Sequence, residues 1–263
     1  MGTDEREGSS IMRIMILGHR GMLGNAVNKY LSNIYGEIKT TENKWSTDTH
    51  EDFVEDVISF SSHRQDPGYI INCIGWIPQK YTADKISDFK VNYELPIWLD
   101  SNLKSKIIHP GTDCEMDDDF YGVSKKIASD YLVNHGVNTK IIKTSIIGHE
   151  LESADSLLDW FLTTEGTVSG YTKAMWNGNT TLEWAKFCDE LMLMWDSQEI
   201  ENVIQSDCIS KYDLLMKMKD IYGGNVTKIR KNNKSMPNKC LTDGIQKNPI
   251  EIQLKELKEF YGY

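Results

Sequence analysis

One short apolar run, together with the loop behind it, constrains this chain most. Residues 13–17 (Arg-Ile-Met-Ile-Leu) stop at Gly18, the pattern of a strand buried on both faces of a parallel sheet. From Leu23 the apolar spacing turns helical, with Leu23, Ala26, Val27, Tyr30 and Leu31 on one face. Between the two lies Gly18-His19-Arg20-Gly21-Met22-Leu23-Gly24. The spelling GxxGxxG is weak by itself. Its place between a strand and a helix carries the information. Glycines there permit a tight turn and let the backbone approach a pyrophosphate, while the helix start offers free N–H groups and a favourable dipole. Dinucleotide binding is the stronger reading of this loop, and a ligand-free strand–helix turn the weaker.

The alternation continues along the chain. Strands are expected at 37–41, 69–74, 106–109 and 139–147, and helices at 52–61, 86–102 and 121–134. Strands alternating with helices predict an α/β fold, a Rossmann-like doubly wound parallel sheet. Past residue 148 the pattern loosens. Helices are expected at 156–163, 181–195 and 211–222, a loop at 230–238, and a strand at 203–206 that returns to the main sheet. The expected organisation is a disordered tail over 1–11, with Met12 a natural start, then a dinucleotide-binding domain over 12–148. Residues 149–263 form a smaller C-terminal substrate-binding lobe, apart from about 200–210.

Charge and cysteine usage narrow the partners. The net charge of -10 argues against nucleic acid or an anionic membrane. The longest apolar runs are a few residues, far below the roughly 20 a spanning helix needs. Cys73, Cys114, Cys188, Cys208 and Cys240 are scattered without a CxxC pair. They suggest neither zinc nor a disulfide framework, so reduced thiols in a cytoplasmic protein are expected. The six histidines show no ligand spacing, are expected to be structural or exposed, and no metal is expected. Asp117-Asp118-Asp119 reads as a solvated loop capping the helix near Tyr121. Trp98, Trp160, Trp184 and Trp195 are expected in the core, and Trp76 and Trp176 in the cleft.

A tyrosine four residues before a lysine occurs at Tyr35/Lys39, Tyr81/Lys85 and Tyr121/Lys125. Position decides between them. Only Tyr121 opens a helix that follows a strand and the polar segment Gly111-Thr112-Asp113, at the strand edge where such sheets bind ligands. Reducing a ketone needs a hydride at carbon and a proton at oxygen. A free phenol has a pKa of about 10, and a nearby ammonium at Lys125 favours its ionised form. Thr112 can donate to the carbonyl oxygen.

These residues resemble the extended short-chain dehydrogenase/reductases, in particular the dTDP-4-dehydrorhamnose reductase group. The carrying motifs are GHRGMLG at 18–24, NCIG at 72–75, VN at 91–92, GTDC at 111–114, YGVSK at 121–125 and KTSIIG at 143–148. WNGNTTLEWA at 176–185 is similar to the family's later segment. The resemblance implies that Asn72, Cys73, Gly75 and Asn92 line the cofactor, and that Thr112, Tyr121 and Lys125 form the catalytic set, with Lys125 also holding the nicotinamide ribose. It implies that Thr144, Ser145 and Ile146 begin the substrate wall and that 175–181, including Trp176 and Asn177, close it. The implied reaction is NAD(P)H-dependent reduction of the 4-keto group of a 6-deoxy-4-keto nucleotide sugar. A non-catalytic NADP(H)-binding regulatory subunit, or an epimerase or dehydratase, is the alternative. A homodimer is compatible with this reading.

Three departures bear on the substrate. Thr112 and Tyr121 are closer in sequence than the family's pattern, so the loop usually between them is missing. Lys143 stands for an arginine, and Asn179-Thr180-Thr181 lacks the usual proline. For the cofactor, Glu42 would hold a ribose 2′-hydroxyl and favour NAD. Arg20, Lys39 and Lys44, with Thr40-Thr41, favour a 2′-phosphate. The balance favours NADP(H) over NAD(H).

Overall fold

The computed structural model describes residues 12–45, 50–77 and 89–263. The expected tail and the Tyr81/Lys85 pair lie outside the described residues. In chain order the elements begin β1 (Ile14–Leu17), α1 (Met22–Tyr35), β2 (Lys39–Thr40), α2 (Glu51–Ser61) and β3 (Tyr69–Asn72). They continue α3 (Val91–Asn102), β4 (Lys106–Gly111), α4 (Phe120–His135), β5 (Thr139–Lys143) and β6 (Ile146–Ile147). The second half holds α5 (Leu157–Thr163), β7 (Gly166–Tyr171), β8 (Met175–Trp176), β9 (Asn179–Thr180) and α6 (Thr181–Leu193). Last come β10 (Glu201–Gln205), β11 (Ile209–Ser210), α7 (Lys211–Tyr222), β12 (Val226–Asn232), β13 (Ile245–Gln246) and α8 (Ile250–Tyr261).

Seven strands form one parallel sheet in the order β13-β10-β5-β4-β3-β1-β2. This is the expected Rossmann-like sheet. The chain runs from β1 outward to β2 and crosses back to β3, so the carboxyl edge of β1 and β3 is the switch point where ligands bind. Side chains of β1 show why it is buried on both faces. Ile14 and Ile16 pack with Val27, Leu31 and Trp184 under α1 and α6. Met15 and Leu17 pack with Phe53, Leu95 and Leu99 under α2 and α3. A third cluster joins α5, α7 and α8 through Phe161, Leu214, Met218 and Leu254.

Several expectations are corrected. The strand at 139–147 breaks after Lys143, and β6 leaves the main sheet to pair with β9. Residues expected as loop at 230–238 begin as strand, because β12 pairs in parallel with β7 along its whole length. Its largely exposed, charged side chains hide that pairing from a hydrophobic pattern. Trp160 is 41% exposed rather than in the core, because the short helix α5 turns Leu158 and Phe161 inward instead. Trp184 is fully buried, while Trp98 and Trp195 are half-buried against Trp45 and Tyr69. Cys208 and Cys240 form a disulfide with Cα atoms 5.9 Å apart. Their separation of 32 residues shows nothing by spacing, since only the tertiary fold brings them together. Cys73, Cys114 and Cys188 are free thiols. Among the described residues no helix is long and apolar enough to cross a membrane, and no side-chain group is arranged to hold a metal.

Candidate active site

The glycine loop has the geometry that its order of elements predicts. Gly18 sits at φ +76°, a conformation that favours glycine. A Cβ on Gly24 would stand 2.1 Å from Gly18 O, so helix and turn can pack this closely only without one. Gly21 N donates to Gly18 O at 3.0 Å and closes the turn. Among the described residues no side chain caps α1 at Gly21. Its first turn, Gly21, Met22 and Leu23, lines a cavity of about 540 Å³ at the switch point. An uncapped helix start with small residues behind it fits the pyrophosphate of a dinucleotide. Gly18 and Gly24 shape this loop from behind.

His19 and Arg20 lean away toward strand two. Glu42 takes both, at 3.2 Å from His19 Nε2 and 2.9 Å from Arg20. Thr41 is buried and donates its hydroxyl to Asp56, while Lys44 is exposed. The acid and the basic residue that favour opposite cofactors are therefore paired with each other.

The loop after β3 forms the next wall. Cys73, Gly75 and Trp76 line the cavity, and burial pushes the Cys73 thiol up, which keeps it un-ionised. Asn92, from α3, also lines it and staples the wall in place. Its Oδ1 accepts from Trp76 N at 2.7 Å, and its Nδ2 donates to Trp76 O and to Ser124 Oγ, each at 3.0 Å. Asn72 is fully buried behind the wall. Its Oδ1 accepts from Ile74 N at 3.1 Å, and its Nδ2 donates to His109 Nδ1 at 3.2 Å.

Thr112, Tyr121 and Lys125 all line the same cavity. Thr112 follows β4 and caps a tight 3₁₀ turn, Asp113–Met116, in a capping box. Thr112 N donates to Glu115 Oε1 at 2.9 Å, and Thr112 Oγ1 accepts from Cys114 N at 3.2 Å. This turn bridges the short interval between Thr112 and Tyr121. Asp119 then caps α4 by accepting from Gly122 N at 2.7 Å, as expected of the three-aspartate run. A Cβ on Gly122 would stand 2.3 Å from Cys114 O, so the motif's glycine lets α4 pack onto the turn. The Thr112 hydroxyl donates to Asp113 Oδ1 at 3.1 Å.

The electrostatics differ from the expectation at one point. Burial, aided by Cys114, Asp113 and Glu115, pushes the Tyr121 phenol up, while the Thr112 hydrogen bond opposes this. The Lys125 ammonium donates to Pro110 O at 2.6 Å. Burial lowers Lys125 to about 8, against a partial restoring effect from Glu115.

His109 is the neighbour that sequence reasoning missed. It is fully buried, with Nε2 at 3.3 Å from Lys125 Nζ. Burial and Lys125 hold it well below its ordinary pKa, hence neutral. Asn72 Nδ2 faces His109 Nδ1 and Lys125 Nζ faces Nε2, so two donors compete for the single acceptor nitrogen of the neutral ring. Nothing in the spacing of a lone histidine signals this.

On the substrate side, Thr144, Ser145, Ile146 and Trp176 line the cavity. Thr144 Oγ1 accepts from Asn179 Nδ2 at 2.9 Å. Lys143, in place of the arginine, is structural and pairs with Glu115 at 2.8 Å and Glu201 at 3.1 Å. Asn177 does not reach the cavity. It is buried and exchanges two hydrogen bonds with Leu241, so it anchors a distant segment instead. That segment brings Lys239 into the lining. The polar stretch around it carries no signal of a site.

The sequence matches no family model and no curated protein. Solved structures are similar in fold. The dTDP-4-dehydrorhamnose reductase of Clostridium acetobutylicum is 17% identical with a TM-score of 0.74, covering 96% of this chain and all of its own. The dTDP-4-dehydrorhamnose reductase of Bacillus anthracis, in complex with NADP, is 14% identical with a TM-score of 0.73, over 94% of this chain and 98% of its own. The dTDP-glucose 4,6-dehydratase of the same organism, in complex with NAD, is 12% identical with a TM-score of 0.65, over 95% and 96%. At these identities the shared property is the fold. This chain has the Rossmann-like architecture of the nucleotide-sugar reductases and dehydratases, along essentially its whole described length.

Proposed function

We propose that this protein is an NADP(H)-dependent reductase of the 4-keto group of a 6-deoxy-4-keto nucleotide sugar. The observation that carries the proposal is one cavity lined by Thr112, Tyr121 and Lys125 together with the uncapped start of α1. The nicotinamide cofactor would supply the hydride. Tyr121 is the general acid that donates its phenolic proton to the carbonyl oxygen. Thr112 orients that oxygen by a hydrogen bond. Lys125 is a cation below about pH 8, and on turning from Pro110 O it stabilises the phenolate left behind and holds a ribose hydroxyl. Asn92 and Asn72 hold the loop walls.

For the cofactor, Arg20 exchanges Glu42 for a 2′-phosphate, which is why NADP(H) is preferred. Glu42→Ala is expected to raise NADPH affinity relative to NADH, and fluorescence titration of both cofactors reads the ratio. An unchanged ratio removes Arg20 and Glu42 from cofactor selection.

The activity test follows NADPH oxidation by absorbance across a panel of 4-keto-6-deoxy nucleotide sugars, with Tyr121→Phe as control. A second reading, a cofactor-binding subunit without turnover, is favoured by the short Thr112–Tyr121 interval and by Lys125 facing Pro110. NADPH binding with flat traces across the panel selects it. An epimerase or dehydratase would turn substrate over without net loss of NADPH. The Cys208–Cys240 bridge is at odds with a constantly reducing cytoplasm. It agrees with cytoplasmic placement if the bridge is regulatory.

A further inference from the structure

The segment carrying Lys239 lies against β8 and is tied at two points. Lys239 N donates to Met175 O at 3.2 Å, and Leu241 N donates to Asn177 Oδ1 at 2.9 Å, with Asn177 Nδ2 returning a bond to Leu241 O at 2.8 Å. Cys240, between those residues, is bridged to Cys208 just ahead of β11. Lys239 is thereby aimed at the 3₁₀ turn that replaces the missing loop. Its ammonium pairs with Asp117 and lies 3.6 Å from Cys114 Sγ.

The charge of the cavity says what that cation is for. Asp113, Asp117, Asp119, Glu150 and Asp155 line it, against Lys125, Lys211 and Lys239. Lys125 lies against Pro110 O and is assigned above to the phenolate and the ribose. A dianion placed among these carboxylates is repelled unless cations face it. Lys211 and Lys239 are the remaining lysines of the lining, and their backbone N–H groups bond the neighbouring carbonyls of Ala174 and Met175. Of the two, Lys239 is the one beside the turn between Thr112 and Tyr121.

We propose that Lys239, held by the Cys208–Cys240 bridge, binds the diphosphate of the substrate, exchanging Asp117 for it, and that reduction of the bridge releases this contact. The proposal rests on the nucleotide-sugar reading above. In the redox step the S–S bond breaks and takes up two electrons and two protons from a dithiol. Two thiols form, and the dithiol closes to its own disulfide. Cys114 stays out of the exchange, because burial and Asp113 push its thiol up to about 11.

The test uses the NADPH-loaded full chain and titrates dTDP and UDP by calorimetry. Lys239→Met is expected to weaken binding about tenfold or more, the loss of a charge-assisted contact, and Lys239→Arg to retain most of it. Dithiothreitol is expected to weaken wild-type binding similarly. The Cys208→Ser/Cys240→Ser double variant should match the reduced protein and no longer respond to the dithiol. NADPH affinity, read by fluorescence, should stay unchanged in every case, which shows that the fold is intact. Full nucleotide affinity in Lys239→Met, or in the reduced protein, overturns the proposal while leaving the nucleotide-sugar reading standing. Failure of the wild type to bind either nucleotide overturns both.

Discussion

Replacing Lys125 with methionine removes a buried cation and keeps most of the side chain's length. The ammonium sits at about 8, against an ordinary 10.5, chiefly because burial strips its water. The folded-state pKa is thus the lower one, and between these two values the unfolded chain binds the extra proton. Stability contributed by this group is least below pH 8 and rises with pH through that window. The rise amounts to about 3 kcal/mol in total, at roughly 1.4 kcal/mol per pH unit. The methionine variant has no such proton. The unfolding free energy of the wild type minus that of Lys125→Met should therefore climb from pH 8 upward. Cys73, Cys114 and Cys188, raised by burial, act in the opposite sense above about pH 9, but they are common to both proteins and cancel in the difference. Neutral His109 does not titrate in this window. Urea titrations followed by tryptophan fluorescence from pH 7 to pH 10 supply the difference curve. A flat curve would falsify the premise that the fold holds Lys125 desolvated.

Tyr121→Phe should lower reductase turnover by roughly 10²–10⁴-fold while NADPH affinity is kept, and steady-state kinetics with fluorescence binding separate the two. Gly24→Ala places a Cβ 2.1 Å from Gly18 O, so NADPH affinity should fall sharply; wild-type affinity in this variant would move the cofactor site elsewhere. Reducing Cys208–Cys240, which closes a separation of 32 residues, should lower the unfolding free energy by about 3–4 kcal/mol if chain entropy dominates. Urea midpoints with and without dithiothreitol measure it, and an unchanged midpoint argues that the bridge ties segments already held by Asn177 and β8.

The glycine loop was legible because a local rule governs it. A buried strand, a glycine at positive φ and an uncapped helix leave a chain signature at Gly18, Gly21 and Gly24. The position of Tyr121, rather than Tyr35, at the cavity was also legible, since it needed only the order of strand, polar segment and helix. Short runs such as β2 and β6, and the exposed strand β12, were blurred, because tertiary pairing partners form them rather than hydrophobic period.

What the sequence determined by itself was therefore the parallel α/β sheet, the glycine loop between β1 and α1, and the placement of Thr112, Tyr121 and Lys125 at one cavity. Each depends on neighbours in the chain. Only the tertiary structure decided that His109 stands against Lys125, that Asn177 anchors a strap instead of lining the cleft, and that Cys208 meets Cys240 to deliver Lys239 beside the turn preceding Tyr121. The partners in these contacts lie between 16 and 125 residues apart, on loops without periodicity, and their chemistry arises from burial and charge that no single stretch of chain contains.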